Sequence, residues 1–120
     1  MQLPIFPPAG QHVLADLYGC DAQQLADPVQ IADCLLAAAN AAGATVLNSH
    51  FHHFGEQQGV TGVLLLMESH MSIHTWPEHG YAAIDLFMCG QAQVEVALAS
   101  IRASISSSEQ KVQLIARGFN

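Results

Sequence analysis

Between Glu68 and Glu78 the chain carries Ser69, His70, Ser72, His74, Thr75 and Trp76, and a lone thiol, Cys89, follows shortly after. Hydroxyls, imidazoles and a thiol can attack a carbonyl, move a proton near neutral pH and hold a dissociable proton. By residue type alone, the segment reads equally well as a strand with a polar face, a turn and a packed cysteine. The seven histidines raise a metal reading. His70 and His74 have helical i, i+4 spacing, which on a helix would serve one ion. The stretch from Ser69 to Thr75 looks extended, however, with Pro77 close behind, and four strand residues span ~13 Å, too far for one ion. His50 and His52 share a strand face but lack a third ligand. No metal is therefore expected, and His50, His52, His53 and His79 are read as ordinary polar histidines.

Charge narrows the possible ligands. The chain has 120 residues, 51% of them hydrophobic and 11% charged, with ten carboxylates against three cations, all C-terminal: Arg102, Lys111 and Arg117. Nucleic acid needs Lys and Arg to displace counterions, so it is not an expected partner. No Gly-rich phosphate loop is present, and Lys111 lacks the cradle that pyridoxal phosphate requires, so a cationic or zwitterionic small molecule fits better. The longest aliphatic stretch, Val63–Met67, is too short to cross a membrane. The N-terminus does not resemble a secretory signal, and the three cysteines (Cys20, Cys34 and Cys89) form no CxxC, so a reduced, cytoplasmic setting is expected.

These residues need a scaffold, and one domain spanning 1–120 is expected. Residues 1–10 read as a proline-rich leader and Gln11–Leu17 as a strand. Asp27, Pro28 and Gln30 spell a helix start, and Ile31, Cys34, Leu35, Ala38, Ala39 and Ala42 line one helical face that stops at Gly43. Strands are expected over Ala44–Phe54, Val60–Glu68, Met71–Thr75 and Tyr81–Phe87. A helix over Gln91–Ile105 and a strand over Lys111–Arg117 follow. Consecutive strands joined by short turns make the class α+β: a two-layer sandwich with a mainly antiparallel sheet and two helices on one face. Its other apolar face calls for a second copy, so a homodimer is expected.

The string Glu68-Ser69-His70-Met71-Ser72-Ile73-His74-Thr75-Trp76-Pro77-Glu78, followed by Gly80 through Gly90, closely resembles the prokaryotic S-adenosylmethionine decarboxylase proenzymes. The resemblance extends upstream through 59–63, 49–54, 41–45 and 17–21, covering roughly residues 10–92. It implies a self-processing pyruvoyl enzyme that needs neither pyridoxal phosphate nor metal. The Ser69 hydroxyl would attack the Glu68 carbonyl, exchanging amide for ester. Elimination and hydrolysis would then separate a β chain (1–68) from an α chain (69–120) that begins with pyruvoyl. That carbonyl would condense with the amine of S-adenosylmethionine and accept electrons as CO2 leaves, giving the aminopropyl donor for spermidine synthesis.

Carried over position by position, His74 matches the histidine that removes the serine α-proton and Cys89 the residue that returns a proton to the product carbon. Glu78 matches the acidic residue on the ribose hydroxyls, and Phe54, or else Phe51, is the platform for adenine. Thr61 stands where many members have a serine that assists processing, and keeps its hydroxyl. His79 and Met88 depart from commoner residues without touching a role. The homo-oligomer would consist of processed αβ protomers. The rival readings are a pyruvoyl decarboxylase of arginine or ornithine and a non-catalytic metal- or ligand-binding homodimer.

Overall fold

Six strands dominate the chain, and they build one sheet. The computed structural model describes residues 8–119; the expected leader falls largely outside them. The strands are β1 (Ala9–Tyr18), β2 (Val46–His53), β3 (Val60–Leu66), β4 (Ser69–Trp76), β5 (Tyr81–Cys89) and β6 (Glu109–Gly118). Their order is β2-β3-β4-β5-β1-β6, and every neighbouring pair is antiparallel. The chain thus makes a meander from β2 to β5, while β1 reaches in from the N-terminus to separate β5 from β6.

The main helix is set by its ends. In α2 (Pro28–Ala41), the Asp27 carboxylate accepts from the Val29 and Gln30 amides, and Gln30 turns its side-chain amide onto the same carboxylate. At the other end Gly43, at φ 79°, lets the Gly43 and Ala44 amides donate to the Asn40 and Ala39 carbonyls. The residues expected on its inner face are all buried, Ala42 included. The last helix, α3 (Val94–Ser104), starts later than the pattern implied but buries Val94, Leu98 and Ile101 as expected.

A third helix, α1 (Ala22–Leu25), is one turn long and capped by Asp21. It was not expected from sequence, because a single turn has no apolar period to read. Residues Pro77–His79, expected as a turn, form a short 3-10 helix. The helices cover one face of the sheet, packing on Val13, Ala15, Leu17, Leu64, Met71, Ile73, Ile84 and Leu86. The opposite face carries His12, Leu14, Asp16, Thr61, Leu65, His70, Ser72, His74, Trp76 and Asp85, with Leu65 51% and Trp76 40% exposed. Among the described residues no helix is long and apolar enough to cross a membrane.

Candidate active site

The hairpin between β3 and β4 is closed by only two residues, Met67 and Glu68, because Leu66 pairs directly with Ser69. The Met67 amide donates to the Thr45 carbonyl at 3.0 Å. Glu68 adopts φ 58°, a left-handed conformation that costs a side-chain-bearing residue roughly 1–2 kcal/mol. Ser69 follows as the first residue of β4, two positions before the expected start of that strand. Its hydroxyl oxygen accepts from the Cys89 backbone amide at 3.2 Å. Burial, and after it the Glu68 carboxylate, push the Cys89 thiol above its ordinary range, so it keeps its proton. Gly10 of β1 leaves room for that thiol: a Cβ there would stand 2.7 Å from Sγ and 2.8 Å from the Met88 carbonyl oxygen.

The other end of β4 gathers a second group. Thr61 pairs with His74 in the ladder, and the Thr61 hydroxyl lies 3.0 Å from His74 Nδ1. Behind them Thr75 is a buried polar residue. Its hydroxyl donates to the Leu25 carbonyl at 2.8 Å and accepts from the Val60 amide at 2.8 Å, tying α1 to both strands. Phe54, Thr61, His74, Trp76 and Glu78 line one cavity of about 270 Å³, just under the ~300–1,000 Å³ usual for a small-molecule site. Phe54 is exposed at its rim. Phe51 instead packs against the core, where its ring occupies the space a Cβ on Gly62 would need. Of the two phenylalanines, therefore, only Phe54 reaches this cavity.

The residues singled out from sequence fall into two groups at opposite ends of one strand. Glu68, Ser69 and Cys89 lie at one end; Thr61, His74, Phe54 and Glu78 lie at the other. Ser69 and His74 are five strand residues apart, roughly 16 Å along β4, so one chain does not bring the serine and the histidine together. A groove of about 500 Å³ runs along the open face past Ser72, His74, Asp16, Asp85 and Lys111.

Among the described residues, neither His50 with His52 nor His70 with His74 falls together in a set of three close ligand atoms. The open face instead gathers His12, His70 and Asp85, whose ligand atoms lie within 4.8 Å of one another. That trio was missed, because its members come from three strands that are distant in sequence.

Comparison with known proteins agrees with this architecture. The family model described as S-adenosylmethionine decarboxylase matches residues 11–118. An S-adenosylmethionine decarboxylase proenzyme of Prochlorococcus marinus (strain MIT 9313) is 45% identical over 109 residues, covering 90% of this chain and 86% of that protein. The proenzyme of Caldanaerobacter subterraneus subsp. tengcongensis is 53% identical over 81 residues, 68% of this chain and 64% of its own. The crystal structure of the adenosylmethionine decarboxylase from Aquifex aeolicus VF5 superposes with a TM-score of 0.85 at 36% identity, covering 96% of this chain and 95% of that one.

Proposed function

Since the chain belongs to the S-adenosylmethionine decarboxylase family, we propose that it decarboxylates S-adenosylmethionine after cutting itself between Glu68 and Ser69. The observation that carries this reading is the hairpin turn. A serine hydroxyl, held by the Cys89 amide, directly follows a left-handed, non-glycine residue whose carbonyl it would attack. In that attack the Ser69 oxygen bonds to the Glu68 carbonyl carbon, the C–N bond breaks and the hydroxyl proton passes to the freed amine. Loss of the Ser69 α-proton then expels the Glu68 carboxylate, and water releases ammonia. The residues present fit a pyruvoyl group at position 69: the side chain is small, at a strand end and hydrogen-bonded to the amide of Cys89, whose thiol keeps its proton. Once formed, that group would supply the electron-accepting carbonyl.

The rest of the chemistry falls to the chain's own side chains. His74, whose Nδ1 shares a hydrogen bond with the Thr61 hydroxyl, is the base for the α-proton. The neutral Cys89 thiol returns a proton to the product carbon. Phe54 stacks on adenine, and the Glu78 carboxylate accepts from the ribose hydroxyls. Because Ser69 and His74 lie ~16 Å apart in one chain, each complete site takes its Ser69–Cys89 end from one chain and its His74–Phe54 end from another. Two copies stacked through their open faces about a two-fold axis supply both sites at once. Exposed Leu65, Trp76 and Ile115 on that face favour such burial. We read the protein as a cytoplasmic homodimer that feeds aminopropyl transfer to spermidine.

The test is release of labelled CO2 from carboxyl-labelled S-adenosylmethionine, with ornithine and arginine in parallel. Release from S-adenosylmethionine alone is expected. Faster release from either amino acid would move the substrate assignment.

A further inference from the structure

Beside the Ser69 end, the open face holds a chain of polar contacts that none of these roles uses. His12 Nε2 contacts Asp85 Oδ1, and His70 Nε2 lies 3.5 Å from the same oxygen. On the far side of His12, the Arg117 guanidinium donates to Nδ1 at 3.2 Å. Strand register explains the meeting. His12 pairs with Phe87 across β1 and β5, and Phe87 pairs with His70 across β5 and β4. The three rings therefore meet in a triangle, with Phe87 5.5 Å from His12 and 5.8 Å from His70 and the two imidazoles 6.0 Å apart. Asp85, two residues before Phe87 on the same face, reaches both imidazoles.

The spacing alone would admit a metal ion, but the partners oppose it. An imidazole that ligates through Nε2 keeps its proton on Nδ1. His12 Nδ1 faces a guanidinium, which has donors only. Nδ1 must therefore accept, Nε2 must carry the proton, and that proton points at Asp85. Arg117, His12 and Asp85 thus form a line of oriented hydrogen bonds, and His70 stands in ion-pair range of its end.

We propose that Asp85, with His12 behind it, is a positioning residue for the reacting residue 69, acting through the imidazole of His70. This rests on the function proposed above. In the intact precursor, residue 69 is held on both sides: by its bond to Glu68 and by its bond to His70. Cleavage removes the first bond together with the Ser69 amide N–H, so the Leu66–Ser69 rung loses its donor. His70 becomes the first residue with a full backbone ladder, and strand ends fray when little holds them. An imidazole fixed by Asp85 limits how far residue 69 can swing. The anchor thus matters more after cleavage than before it.

The experiment compares the wild type with Asp85→Ala, Asp85→Asn and His12→Gln. Cleavage is followed by denaturing gel, kcat and KM are measured on cleaved enzyme, and histidine protonation is read by two-bond 1H–15N spectra. In the wild type both His12 and His70 are expected as Nε2–H tautomers. In Asp85→Ala cleavage should still complete, while kcat falls about 10- to 100-fold, the scale of small misplacements of reacting groups. KM should hold, and the His70 signal should shift to a tautomer mixture. Asp85→Asn, which keeps one acceptor oxygen, should recover part of both readouts.

Wild-type turnover in a cleaved Asp85→Ala enzyme would overturn the proposal. So would a kcat loss that follows the melting temperature while both tautomers stay unmoved, or stoichiometric zinc binding by the wild type that Asp85→Ala abolishes. If the wild type itself neither splits nor releases CO2, the functional reading falls instead, a result distinct from each of these.

Discussion

Co-expressing two inactive variants tests the shared site. Ser69→Ala cannot form the ester but keeps His74, whereas His74→Ala keeps Ser69 but lacks the base. Since ~16 Å separates these residues in one chain, neither variant alone should yield active enzyme. In a random equal mixture, half the dimers are mixed. Each mixed dimer holds one site with both good halves and one with neither, so activity should return to about a quarter of wild type. The same arithmetic predicts that about half of the His74→Ala chains are cut, while every Ser69→Ala chain stays whole. The assay uses two affinity tags, a denaturing gel for cleavage and labelled CO2 for turnover. Activity in either homodimer, or none in the mixed preparation, would refute the argument that one strand cannot bring its own two ends together.

Three further outcomes follow from particular contacts. Glu68→Gly and Glu68→Ala both lose the carboxylate, but only glycine relieves the left-handed turn; if ~1 kcal/mol of strain is released on cleavage, the glycine variant should split about fivefold more slowly, and equal time courses would remove strain from the account. Cys89→Ala should still be cut yet lose about 10²- to 10⁴-fold in kcat; because the thiol is held above its ordinary range, the wild-type kcat plateau should extend past pH 9.0, with an alkaline limb that the variant lacks. Donation to Asp16 raises the Tyr81 hydroxyl from 10.0 to about 12. The folded state therefore favours the protonated phenol: its contribution is complete below pH 10.0 and lost as pH rises towards about 12. Alkaline melting curves of Tyr81→Phe should lack that extra loss.

Much of the scaffold could be read because its signals are local. Asp27, Pro28, Gln30 and Gly43 mark both ends of α2, and the apolar stretches that open at Val60 and Tyr81 after turn residues mark strands, which the structure buries on one face. The early start of β4 was hidden, because the turn before it uses left-handed Glu68 where glycine or asparagine would have signalled it. Insertion of β1 between β5 and β6 is a non-local choice, and with it went the meeting of His12, Asp85 and His70. Ser69, His74 and Cys89 were singled out through family resemblance. Their division into two half-sites follows only once β4 is seen to be straight and unbroken from Ser69 to Trp76.

Intact-mass measurement of the denatured chain tests the central claim most directly. The account predicts two species, 1–68 ending in the Glu68 carboxylate and 69–120 beginning without an amino group, the latter lost in Ser69→Ala. A single mass for the whole chain in a preparation that releases CO2 from S-adenosylmethionine, or a cut at any other bond, would contradict it.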